Sequence, residues 1–124
     1  LKLSVLTGDD RYERFAVTVL RLVSSQIKRY PSGFGRALSA LEFHLGKRKE
    51  IVLVGESGEL RSAVWRDYRP VKVVVPVIGG ADASAIPLTE GKSLIGGKAA
   101  AYVCEDFACK RPVSNALDLA REMS

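Results

Sequence analysis

No run in this sequence is long and apolar enough to cross a bilayer. The longest, Val73 to Ile78, falls far short of the roughly 20 residues a spanning helix needs, and no membrane partner is expected. The start, Leu1-Lys-Leu-Ser-Val-Leu6, lacks the charged head, apolar stretch and cleavage site of a secretory leader. It also lacks Met, so the chain is expected to begin inside a longer one and to reside in the cytoplasm. Histidine is almost missing: His44 is the sole side chain that ordinarily titrates near neutral pH. A hydrolytic triad would need it together with Ser57 and a carboxylate, and no spacing supports that. Cysteine is scarce too. Cys104 and Cys109 supply half of a tetrahedral zinc site, and His44 cannot complete it, so neither metal nor cofactor is expected.

Charge of one sign is in mild excess. Lys and Arg number 19 against 14 Asp and Glu, a net charge of +5, but only Lys47-Arg48-Lys49 and Lys110-Arg111 are dense. Nucleic-acid binders usually join a basic stripe to a recognisable motif or to stacking aromatics, and aromatics are only 7% of this chain. No nucleic acid is expected. The 47% hydrophobic and 27% charged residues are ordinary for one folded domain.

The periodicity divides the chain. Asp10 and Glu13 have capping-box spacing. From there Tyr12, Phe15, Ala16, Val19, Leu20, Val23 and Ile27 recur at helical intervals. Pro31 interrupts, and Phe34, Ala37, Leu38, Leu41 and Leu45 mark a second helix that Gly46, in a left-handed conformation, would end. Residues 10–29 and 33–45 thus predict a helical hairpin whose apolar side chains exceed what one interface needs. The period then shortens. Ile51–Val54 and Val71–Ile78 read as strands joined by a helix over 58–68, a parallel βαβ unit. A glycine-rich loop follows over 79–98, turning at Gly96-Gly97. Ala99–Cys104 is a third strand, and Ser114 would cap a last helix reaching Met123.

Three stretches carry a resemblance: Tyr30-Pro-Ser-Gly-Phe-Gly-Arg-Ala-Leu-Ser-Ala-Leu, Glu50-Ile-Val-Leu-Val-Gly, and Ala101-Tyr-Val-Cys-Glu-Asp-Phe-Ala-Cys-Lys-Arg-Pro-Val. In this order they resemble the C-terminal end of the spermatogenesis-associated, thioredoxin-domain protein family, as does the leading Leu-Thr-Gly-Asp-Asp-Arg-Tyr. The resemblance implies a parent with a thioredoxin-like domain, then an α/α toroid, then a small α/β segment. Residues 1–46 would close the toroid and 47–124 would be the α/β segment. Leu1–Leu6 would then end a helix, although its alternation alone reads equally as a strand. The family's Cys-x-x-Cys and toroid centre lie outside this chain, so no catalytic residue carries over. The expected fold is α/β: a helical hairpin followed by a three-layer segment with a mainly parallel three-stranded sheet.

Two constellations remain. Cys104 and Cys109 could exchange disulfides, with Lys110 and Arg111 favouring a thiolate. Against that, a thioredoxin motif spaces its cysteines more closely and sets them at a helix N-terminus, so structural thiols or a small disulfide are the plainer reading. Gly55-Glu-Ser-Gly58 opens a helix where an anion or sugar could bind through Gly55, Ser57 and Gly58. Glu56 would repel an anion there, and Ser57 is more simply a helix cap. Trp65 and Tyr68 could stack on a ligand but more simply cover the sheet or pack against the parent. The leading expectation is a non-catalytic docking segment whose partners are the parent's thioredoxin-like domain and toroid, with self-association of the isolated chain. A redox accessory and an anion- or sugar-binding module are the alternatives.

Overall fold

A computed structural model describes residues 1–79 and 85–124. Helix α1 (Lys2–Thr7) ends at Gly8, whose φ of 69° suits glycine; the helical alternative for Leu1–Leu6 holds. Helix α2 (Asp10–Leu22) is capped by Asp9, not Asp10: the Asp9 carboxylate accepts from the Arg11 backbone N–H at 2.9 Å. The same carboxylate pairs with the Arg11 guanidinium, which holds its pKa below the ordinary value. The expected continuous helix over 10–29 breaks at Val23, where ψ is 4°, and α3 (Ser24–Arg29) resumes it. A single 3-10 turn, Pro31–Phe34, leads into α4 (Gly35–Leu45). Gly46 is extended rather than left-handed, with φ −81° and ψ 160°. Glycine is needed there for space, because a Cβ would sit 2.9 Å from the Glu42 carbonyl oxygen and 3.2 Å from Val71.

The strands are β1 (Lys49–Val54), β2 (Lys72–Val77), β3 (Ala100–Glu105) and β4 (Ala108–Cys109). They form one sheet in the order β2-β1-β3-β4. β1 and β2 are parallel, with Ile51 opposite Val74, and α5 (Gly58–Arg66) crosses between them as the apolar pattern requires. β3, by contrast, is antiparallel to β1, and β4 is antiparallel to β3. The sheet is therefore mixed and four-stranded, not mainly parallel and three-stranded. The cause lies after β2: a parallel third strand needs a long crossover, usually helical. The glycine-rich connection instead forms a short Pro87–Thr89 3-10 turn and a hairpin at Gly96-Gly97, bridged at Ile95 and Lys98. Part of that connection, 80–84, lies outside the described residues. α5 stops at Arg66, before its expected end. The last helix, α6 (Ala116–Met123), is capped by Asn115 rather than Ser114.

Alternation along β1 divides two apolar layers. Ile51 and Leu53 face Leu60, Ala63 and Val64 of α5 and Leu119 and Met123 of α6. Val52 and Val54 face Val5 of α1, Phe43 of α4 and Leu88 of the 3-10 turn. The sheet is thus covered on both faces. Helix α2 is not part of either layer. Among its described residues none is buried, and Phe15, Val19 and Leu22 are 70%, 57% and 74% exposed.

Candidate functional site

Side chains directly opposite one another in an antiparallel pair project from the same face. Glu50 of β1 is opposite Cys104 of β3, and Cys104 is opposite Cys109 of β4. The three therefore form one row across three strands. Cys104 and Cys109 are joined by a disulfide, with Cα atoms 3.9 Å apart, inside the ~7 Å limit for a bridge. The two cysteines differ in exposure: Cys104 is buried in the layer with Val52 and Phe43, whereas Cys109 of β4 is exposed.

Glu50 is fully buried. Its Oε2 accepts the Phe107 backbone N–H at 2.9 Å, while Oε1, equally enclosed, has no hydrogen-bond partner among the described residues. A buried carboxylate oxygen without a partner is costly in free energy. Phe107 is placed by the two-residue turn that joins β3 to β4. Asp106 and Phe107 both have positive φ, 48° and 63°, in a turn where Asn-Gly or Asp-Gly is usual. Bulky Phe107 in that region marks strain. Arg48 ties this turn to the helices, lying 3.6 Å from Asp106 and 4.0 Å from Glu13 of α2. On the other face of the sheet Lys49 pairs with Glu105, whose carboxyl pKa that ammonium lowers. Lys110, expected beside the cysteines, pairs with Glu122 of α6 at 3.0 Å.

The Gly55–Gly58 turn stands apart from this row. Gly55 has φ 82°, and a Cβ there would fall 2.6 Å from Leu94 Cδ2 and 3.3 Å from Ala99 Cα, so the returning chain covers it. The Ser57 hydroxyl accepts the Leu60 N–H at 3.2 Å and caps α5. The space beside Gly55 and Ser57 is about 10 Å³, room for about one water. His44 joins neither place; its Nδ1 lies 3.2 Å from Glu13 Oε1 and links α4 to α2. Among the described residues no group of His, Cys, Asp and Glu is arranged to hold a metal, and no helix is long and apolar enough to cross a membrane.

A third feature is an open apolar groove of about 1190 Å³. One wall is Val19 and Leu20 of α2, the second Ala37 and Phe43 of α4, the third the chain from Trp65 to Pro70. Trp65 and Tyr68 do not cover the sheet; they are 62% and 90% exposed, because α5 buries Leu60, Ala63 and Val64 instead. Lys72 roofs the Trp65 ring at 4.3 Å and donates to the Val64 carbonyl. Its burial, and then the charge of Arg69, lower its pKa.

The residue that sequence reasoning missed is Glu50. Its one signal was an acid standing at the head of a run otherwise fit for burial on both faces. Comparison with protein-family models, with curated proteins and with solved structures gives no match to this chain.

Proposed function

We propose that the chain is a non-catalytic docking segment of a larger thioredoxin-domain protein. Its helical portion completes a toroid of helices, and its α/β portion braces them. The observation that carries this is α2: an amphipathic helix whose Phe15, Val19 and Leu22 stay exposed while its polar side also faces solvent. Contiguous exposed apolar surface marks an association site. The occupant is a further helix of the same polypeptide. The resemblance makes residues 1–46 the last helices of a toroid, and α2 and α4 border an open groove whose walls are mostly apolar, Val19 and Ala37 among them. The docking role itself requires no reaction.

Two measurements on the protein from its own cells test this. An antibody raised against the 124-residue chain should detect a product several times heavier than 13.5 kDa; a product of that mass overturns the proposal. In the larger product, amine crosslinks from Lys2 and Lys28 should run to chain upstream of Leu1. Crosslinks confined to this segment refute docking.

A further inference from the structure

We propose that the row Cys109, Cys104 and Glu50 is a thiol–disulfide exchange site, in which Glu50 carries the proton to and from Cys104. The inference is independent of the docking role and rests on three observations. The two cysteines face each other across β3 and β4 and are bridged. One sulfur belongs to an exposed residue and the other to a buried one. The next position in the row is a fully buried carboxylate with one oxygen unpartnered among the described residues. Holding the Phe107 N–H accounts for Oε2 of that acid but not for Oε1, which a disulfide kept only for stability leaves unused.

The substrate class is a thiol that can approach the exposed side of β4. Its thiolate attacks Cys109 Sγ, forming a substrate–Cys109 disulfide, and the Cys104–Cys109 bond breaks with its electron pair on Cys104 Sγ. The proton released by the incoming thiol reaches Cys104 through Glu50 Oε1, leaving a neutral buried thiol instead of a buried thiolate. A second substrate thiol, having given its proton to solvent, attacks as thiolate the substrate sulfur of the mixed disulfide. Cys109 departs as a thiolate that the exposed side of β4 lets take a proton back from solvent, and the substrate leaves as its own disulfide, having delivered two electrons to the pair. In reverse, Glu50 takes the Cys104 proton, and the thiolate so formed attacks Cys109 Sγ of a mixed disulfide, breaking its bond to the substrate sulfur and releasing the substrate as a thiolate that takes up the proton. Attack is directed to Cys109 because exchange requires access to the sulfur. The Phe107 N–H holds the carboxylate in the row throughout.

The test uses the whole chain, with dithiothreitol as reductant and glutathione disulfide as oxidant, and free thiols counted by alkylation and mass spectrometry. Glu50→Gln keeps an acceptor for Phe107 N–H but cannot carry the proton. Folded Glu50→Gln should exchange at least about tenfold more slowly in both directions, since positioned proton transfer typically contributes 10²–10⁴-fold. If Glu50 only held the turn, its replacement would loosen the hairpin and speed reduction; an unchanged or faster rate therefore overturns its role. A second measurement needs no variant: glutathione trapped on the wild-type chain should map to Cys109. Trapping at Cys104, or failure of the pair to bridge in a glutathione buffer, overturns the exchange site itself.

Discussion

Two phenylalanines of the helical segment should separate folding from docking. A phenylalanine carries about 200 Å² of surface. Phe15 is 70% exposed, so about 60 Å² is buried within the chain and about 140 Å² is free. At about 25 cal/mol per Å² the buried part is worth about 1.5 kcal/mol and the free part about 3.5 kcal/mol. Alanine regains about 0.5 kcal/mol of helix propensity, so Phe15→Ala should cost folding only about 1 kcal/mol. Phe43, 4% exposed in the layer with Val52 and Val73, is the opposite case. Phe43→Ala should cost about 3–5 kcal/mol. Urea unfolding followed by far-ultraviolet circular dichroism measures both. Sedimentation equilibrium of the isolated chain reads association through the uncovered face, which Phe15→Ala should weaken by more than about tenfold. Equal destabilisation by the two substitutions would refute the assignment of Phe15 to a free face. Self-association unaffected by Phe15→Ala would refute its part in docking.

Other outcomes follow from the backbone and the charges. Gly55→Ala should destabilise by about 2–4 kcal/mol in the same titration, from a left-handed conformation and a Cβ pressed against Leu94 and Ala99. Asn115→Ala should cost about 1 kcal/mol, because the Asn115 side chain accepts the Asp118 N–H at 2.9 Å, whereas Ser114→Ala should stay within about 0.5 kcal/mol of the parent. Lys72 has a lowered pKa in the folded state, so the unfolded chain binds the extra proton between that value and the ordinary 10.5. Stability relative to Lys72→Met should therefore rise as pH climbs through that interval. A difference that is flat or falls with pH would show that burial of the ammonium is not the dominant influence on it.

What could be read from residues alone was what depends on local pattern. The Val71–Ile78 run and the Leu60, Ala63, Val64 stripe were enough to predict β1, α5 and β2 and their parallel pairing, since a crossover of that length admits little else. Ser57 as a cap and the Gly96-Gly97 turn were equally local, each resting on the chemistry of one or two side chains. The direction of β3 was not local. It depended on whether the stretch after β2 became a helix or folded back, and a glycine-rich sequence does not state which edge of the sheet it returns to. β4 was invisible for a related reason. Two residues show no alternation, and the Asp106-Phe107 turn that creates the strand uses neither glycine nor asparagine.

The row across β1, β3 and β4 shows where residue-by-residue reading runs out. The four residues between Cys104 and Cys109 allow a bridge, and that much was legible. Glu50 lies far from them in sequence, and only the antiparallel register brings its carboxylate to Cys104. The strained turn and the acid belong to one arrangement. Phe107 in its left-handed conformation presents the N–H that Glu50 Oε2 accepts, and this leaves Oε1 as the enclosed oxygen without a partner among the described residues. A position that costs free energy twice, in backbone strain and in a buried charge-bearing group, is a place to look for chemistry rather than for stability.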